Sequence, residues 1–100
     1  MDNYIEAPTM GEILKEEFMI PMHLSSYKLA HDIHVPVSRI QAIINSGRKI
    51  TPDTSIRLAR YFGVSDRYFL NLQNDLDIRE LKARLKNEII EIKPYSCSAI

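Results

Sequence analysis

The chain has 100 residues, of which 45% are hydrophobic and 26% charged, and this composition suits one globular domain with a single core. No apolar run approaches the roughly 20 residues of a membrane span, the acidic first six residues lack the basic and apolar regions of a signal peptide, and the single cysteine, Cys97, rules out an internal disulfide. We therefore expect a cytoplasmic protein with no part in a membrane.

The net charge is zero, but the charges are unevenly distributed along the chain. Residues 1–25 carry five acidic side chains and one basic, residues 26–70 carry seven basic and three acidic, and residues 71–100 carry five of each. The excess of positive charge in the middle of the chain favours a polyanionic partner. Because this excess is modest, we expect the affinity for such a partner to depend on two copies of the chain.

The first helix is predicted to begin after Thr9 and to end near Met19 or Ile20. Thr9 and Glu12 have the spacing of a capping box, in which each side chain accepts a hydrogen bond from the other residue's backbone. Pro21 ends the helix because its ring cannot continue the hydrogen-bonding pattern.

Two short helices joined by a tight turn follow. Ser25 or Ser26 is a suitable N-cap for the first of them. Its apolar residues recur at helical spacing and predict one buried stripe: Leu29, Ala30 and Ile33. Pro36 pushes Val35 out of the α region and suits the start of the next helix, so the turn is expected immediately before it.

The second of these helices is predicted to bury one side and to leave the other open. Its buried residues are Ile40, Ile43 and Ile44. At 3.6 residues per turn, Ser38, Ala42 and Asn45 point most directly outward, and Arg39 and Gln41 lie on the flanks. An open helix face after a short turn is typical of a helix-turn-helix, whose second helix enters the DNA major groove.

Five residues of this helix are candidates for contacts with bases. Arg39 is the foremost, because a guanidinium can bind guanine O6 and N7 with two hydrogen bonds; the alternative is a pair with an acid or a phosphate. Ser38 and Gln41 can hydrogen-bond to bases or phosphates. Val37 and Ala42 can contact a thymine methyl group, although simple exposure to solvent explains them as well.

Five further residues suit phosphates, which fix the register on DNA without reading its sequence. They are Tyr27, Lys28, Asn45, Arg48 and Lys49. For Lys28 a purely solvated role is an equally good interpretation.

A fourth helix is predicted from Thr51 to Gly63. Thr51 serves as N-cap, Pro52 occupies the first helical position, and Gly63 is a suitable terminator. Arg57 in this helix is expected to form a structural ion pair with one of two acids of the first helix: Glu12 or Glu16.

A fifth helix is predicted after Ser65 or Asp66 as N-cap, with a break near residues 75–77. After it, residues 89–92 alternate weakly like a strand, and the chain from Pro94 onward is expected to be disordered. The predicted organisation is an arm over residues 1–8, a helix-turn-helix domain with its C-terminal helix over 9–88, and a tail over 89–100.

An enzymatic or metal-binding role has little support. His31 and His34 lie three residues apart, but no cysteine pair or acid completes a zinc site. Cys97 lies in the predicted tail without a neighbouring histidine, so it is a poor candidate for a nucleophile. We expect no catalytic residue, no metal and no cofactor.

Several stretches in register resemble the HigA family of antitoxins. They are GEILKEEF at 11–18, VSRI at 37–40, ITPDTSIRLARYFG at 50–63 and FLNLQ at 69–73, and the resemblance covers about residues 8–80. It departs from the family pattern at His34, where a glycine is common in the turn, and at Asn45-Ser46-Gly47, where the glycine usually follows the asparagine directly.

The resemblance implies an all-α, five-helix helix-turn-helix domain with a C-terminal helical extension, usually dimeric, that binds operator DNA and represses its own operon. It also implies a partner, a HigB-type toxin that is a ribosome-dependent mRNA endonuclease. The stripe formed by Leu76, Leu81 and Leu85 is then a candidate dimer or toxin interface, with packing inside one copy as the alternative. A repressor without a toxin, a pure protein-interaction module and a metalloenzyme are the alternative functions.

Overall fold

The structure is a computed structural model that describes residues 8–95, and all regular elements in that range are helical. The helices are α1 (Met10–Ile13), which continues as a π-helical segment (Leu14–Met19), α2 (Ser26–Ile33), α3 (Val37–Ser46), α4 (Pro52–Phe62), α5 (Tyr68–Arg84) and α6 (Lys86–Ile89). The all-α prediction, with five helices and a C-terminal helical extension, is confirmed. No helix within residues 8–95 is long and apolar enough to cross a membrane.

Side-chain caps set the starts of three helices, as the sequence predicts. Thr9 accepts a hydrogen bond from the Glu12 amide at 3.1 Å, and the Glu12 carboxylate accepts one from the Thr9 amide at 3.0 Å. Ser25, rather than Ser26, caps α2, and Thr51 caps α4. Each cap satisfies an amide that has no partner within its own helix.

The turn between α2 and α3 is made by a left-handed residue. His34 has φ 64° and ψ 47°, a conformation that glycine adopts at lower cost than histidine. Its amide donates to the carbonyls of Ala30 and His31, and Val35 donates to the Ala30 carbonyl at 3.0 Å. The histidine at the usual glycine position therefore adopts the glycine's backbone geometry.

The core packs α3 against the other helices. Its most completely buried large side chains are Leu14, Leu29, Ile40, Ile43, Leu58 and Phe69. Phe69 stacks obliquely on Phe18, with 5.2 Å between ring centroids, and Phe18 lies 5.0 Å from Phe62. A Cβ at Gly11 would overlap the Ile43 carbonyl oxygen, so the backbones of α1 and α3 are in direct contact.

The predicted N-cap of the fifth helix is wrong. Residues 66 and 67 form a turn, and α5 begins at Tyr68 without a side-chain cap. The carbonyl of Asp66 accepts a hydrogen bond from the Ser55 hydroxyl at 2.7 Å. This contact with α4 holds the turn, and the helix can begin only after it.

The predicted break near residues 75–77 and the predicted strand over 89–92 are also wrong. The α5 helix runs unbroken to Arg84, and Asp77 binds Lys49 instead of competing for its own backbone. Ile89 ends α6, and residues 90 and 91 form a turn. Residues 8–95 contain no strand with which the segment 89–92 could pair. Residues 1–7 of the predicted arm lie outside the described residues. So do residues 96–100 of the predicted tail, which include Cys97.

Candidate nucleic-acid interface

The orientation of α3 follows the period of its sequence. Ile40 and Ile43 are buried, whereas Ser38 and Asn45 are exposed. Between these extremes the helix has four half-buried residues: Arg39, Gln41, Ala42 and Ile44. The outward side of α3 is therefore defined as Ser38, Gln41, Ala42 and Asn45, and it presents polar groups and one small methyl group.

Val37 differs from its prediction as an open contact residue. It begins α3, is half-buried, and packs against the core. The first turn of α3 lies against the core, and an apolar side chain there is stabilised by burying its surface away from water. A part of Val37 remains accessible beside Ser38.

Arg39 forms the ion pair that was the alternative to base contact. Its Nη1 atom lies 2.9 Å from Asp53 Oδ2 and 3.5 Å from Thr54 Oγ1, and its side chain is 29% exposed. Asp53 stands in the first turn of α4, where a carboxylate also interacts favourably with the helix dipole. The pair therefore ties the first turn of α3 to the start of α4.

Arg57 forms an ion pair as expected, but its partner is Asp53 and not Glu12 or Glu16. Arg57 Nε donates to both Asp53 oxygens, at 3.1 and 3.2 Å, because one helical turn separates the two residues. Its Nη1 also donates to the carbonyls of Ile33 and His34, at 3.0 and 3.3 Å. Arg57 thus joins the turn before α3 to α4.

This network affects the titration of its central acid. Hydrogen bonds and charge from Arg57, followed by those from Arg39, hold the pKa of the Asp53 carboxyl below its ordinary value. Asp53 is therefore ionised throughout the neutral pH range and keeps both guanidinium groups in place.

The first turn of α2 carries two of the predicted phosphate contacts. Tyr27 is 66% exposed, and Lys28 forms a pair with Asp32 at 3.1 Å, one helical turn away. Asp32 also accepts a hydrogen bond from the Tyr61 hydroxyl at 2.6 Å. The hydrogen bond from Tyr61 and, to a smaller extent, the one from Lys28 lower the pKa of the Asp32 carboxyl. The hydrogen bond to Asp32 raises the pKa of the Tyr61 hydroxyl. Lys28 stays exposed enough to reach a phosphate.

A cationic groove brings three of the predicted contact residues together. Arg39, Arg48 and Lys49 line an open groove of about 420 Å³ with Arg57, opposite the single carboxylate of Asp53. The Lys49 ammonium group also lies 2.7 Å from Asp77 Oδ1, and the Lys49 side chain is 66% exposed. Four cations against the two carboxylates of Asp53 and Asp77 leave an excess of positive charge, which makes this part of the surface attractive to phosphate.

Sequence reasoning missed the acids that hold these cations. Asp53 is 14 residues from Arg39, and Asp77 is 28 residues from Lys49. Pairs at such separations leave no periodic signal, whereas the pair of Asp53 with Arg57, four residues apart on one helix, has a spacing that the sequence shows. Within residues 8–95 no cluster of three or more metal-ligating side chains occurs.

Comparison with known proteins agrees with this geometry. A model of the helix-turn-helix family matches residues 14–69. Virulence-associated protein I of Dichelobacter nodosus is 42% identical over 97 residues, which cover 97% of this chain and 89% of that protein. Antitoxin HigA-1 of Vibrio cholerae is 33% identical over 90 residues, covering 90% and 85%.

A solved structure extends this likeness to three dimensions. Pseudomonas aeruginosa antitoxin HigA, determined with the higBA promoter, superimposes with a TM-score of 0.79 at 32% identity, covering 88% of this chain and 97% of the other. This chain therefore belongs to the HigA family of helix-turn-helix proteins.

Proposed function

We infer that this protein is a DNA-binding antitoxin that represses its own operon and neutralises a HigB-type mRNA endonuclease. The observation that carries the DNA-binding part of this inference is the outward side of α3, which is polar, accessible and adjacent to the cationic groove, whereas the toxin partner is inferred from membership of the HigA family. A HigA antitoxin of the same fold has been solved on promoter DNA. The proposed role requires neither catalysis nor a cofactor, and it places the protein in the cytoplasm.

We propose that the outward side of α3 enters the major groove. Ser38, Gln41 and Asn45 then hydrogen-bond with base edges or nearby phosphates, and Ala42 contacts a thymine methyl group. The ion pair with Asp53 supports a positioning role for Arg39, since base contact would require that pair to open. The accessible part of Val37 lies next to Ser38 and suits another apolar contact.

Four cationic or aromatic residues outside α3 are proposed to bind the sugar–phosphate backbone. They are Tyr27, Lys28, Arg48 and Lys49, and all four are exposed. The first two stand at the amino end of α2, where amide groups also favour phosphate. Contacts of this kind hold α3 in register on the duplex.

A second copy of the chain is proposed to bind through the distal part of α5. Leu81 and Leu85 are exposed, as is Ile78, whereas Leu76 packs against the core of its own copy. The predicted stripe is therefore divided between an internal and an external role. A dimer built in this way would read two half-sites about 34 Å apart.

The toxin partner is tested by co-expression with the product of the adjacent gene. We expect a small protein to co-elute with the tagged chain, to arrest growth when expressed alone, and to be neutralised when both are present. The same preparation should retard a promoter duplex in a gel. Retardation of DNA without any bound gene product would instead identify a repressor that acts without a toxin.

A further inference from the structure

The α3–α4 loop, residues 47–51, carries two of the proposed phosphate contacts and has no regular secondary structure. Its start is fixed by α3, since the amides of Gly47 and Arg48 both donate to the Ala42 carbonyl. The sequence of a loop of this kind does not by itself fix where Lys49 points. A second attachment is needed at the other end.

Gln73 of α5 supplies that attachment. Its Nε2 donates to the Ile50 carbonyl at 2.9 Å, and its Oε1 accepts from the Ile50 amide at 2.7 Å. Gln73 is 6% exposed and Ile50 is 2% exposed. A buried amide that satisfies both backbone groups of one residue imposes position and orientation together, because either group left unpaired would be costly.

The adjacent ion pair alone would be a poor anchor. Lys49 and Asp77 are both accessible to solvent, and exposed pairs of this type contribute little to holding a conformation. Asp77 nevertheless lies one helical turn after Gln73 and contacts the residue next to Ile50. The same side of α5 therefore holds the loop backbone through Gln73 and holds the Lys49 ammonium group, before DNA binds, through Asp77.

We propose that Gln73 is a positioning residue for DNA binding, which fixes the α3–α4 loop on α5 so that Arg48 and Lys49 meet backbone phosphates. The proposal rests on the proposed DNA-binding function. It also makes α5 a physical link between the DNA-contacting loop and the exposed stripe at the distal end of the same helix.

The test measures the salt dependence of binding to a random-sequence DNA duplex for Gln73→Met, which keeps the volume and removes both hydrogen bonds. The plot of log Kobs against log salt has a negative slope, and each lost phosphate contact reduces the steepness of that slope by about 0.9. We expect Gln73→Met to lower the slope by about 1 to 2 and to weaken binding about tenfold at low salt. Asn87→Met, which replaces an exposed amide of α6 with the same side chain, should leave the slope unchanged.

A double-mutant cycle with Lys49→Ala separates positioning from general stability. Lys49→Ala should reduce the slope in the wild-type background and have little further effect in the Gln73→Met background. An undiminished effect of Lys49→Ala in both backgrounds, or a Gln73→Met protein with a lower melting temperature and a wild-type slope, would overturn the proposal. Failure of the wild-type protein to bind any duplex would instead refute the proposed DNA-binding function.

Amide hydrogen exchange in the wild-type protein gives a readout that does not depend on a variant that folds. We expect the Ile50 amide, bound to Gln73, to be protected to the same degree as core amides of α5. Exchange of the Ile50 amide at the rate of an open loop would show that the attachment is absent in solution, and the proposal would be wrong.

Discussion

Replacing Ala42 by glutamate is expected to weaken binding to the promoter duplex by about 100-fold or more while the protein remains folded. Ala42 lies in the middle of the outward side of α3 and is only half-buried. A carboxylate there would face phosphates at close range, and a like-charge contact across an interface costs several kcal/mol; about 2.7 kcal/mol corresponds to 100-fold. Fluorescence anisotropy gives the affinity, and circular dichroism verifies the fold.

Ala83→Glu is the matched control, because it also replaces alanine by glutamate and therefore adds the same negative charge. Ala83 is exposed on α5, two positions from both Leu81 and Leu85, and so lies on the opposite side of the helix from the proposed dimer contact. Its affinity should stay within about threefold of wild type, because surface changes away from an interface have small effects. Equal losses in the two variants would mean that net charge, and not the position of α3, governs binding.

Replacing Gly11 by alanine is expected to lower the free energy of unfolding by about 3 kcal/mol, at the upper end of the range for overpacked cores. The added Cβ would overlap the Ile43 carbonyl oxygen and lie 2.9 Å from Ile44 Cα. Both are backbone atoms of α3, which cannot turn away as a flexible side chain can. Urea unfolding followed by circular dichroism measures the change.

Gly63→Ala provides the comparison for this change. Gly63 has φ +74° and open space where a Cβ would stand, so alanine there is opposed by backbone conformation alone. That cost is about 1–2 kcal/mol. A Gly11→Ala protein as stable as wild type, or more stable than Gly63→Ala, would show that α1 does not contact the backbone of α3 closely.

The features that the sequence predicts well are those determined within one helical turn. Thr9, Ser25 and Thr51 cap their helices because the amides they satisfy are three residues away. The burial of Ile40 and Ile43 follows from their spacing on one helix. These two kinds of signal were enough to predict the positions of α1 to α4 and the outward side of α3.

Most of the features that the sequence predicts poorly depend on residues far apart in the chain; the exception is the partner of Arg57, since Asp53 is only one helical turn away. Nothing in the pattern around Arg39 indicates Asp53, and nothing around Ile50 indicates Gln73, 23 residues later. The unbroken course of α5 has a similar cause, since Asp77 is engaged by Lys49 of another segment. Contacts made only in the folded chain decide which cations stay available for DNA.

The central claim is that the outward side of α3 occupies the major groove, and methylation interference on the promoter duplex tests it most directly. Methylation at guanine N7 blocks the major groove, and methylation at adenine N3 blocks the minor groove. We expect methylation of guanine N7 to prevent binding at two clusters of bases about one helical turn apart. Methylation of adenine N3 outside these clusters should have no effect. Binding that tolerates N7 methylation throughout the promoter would contradict the claim.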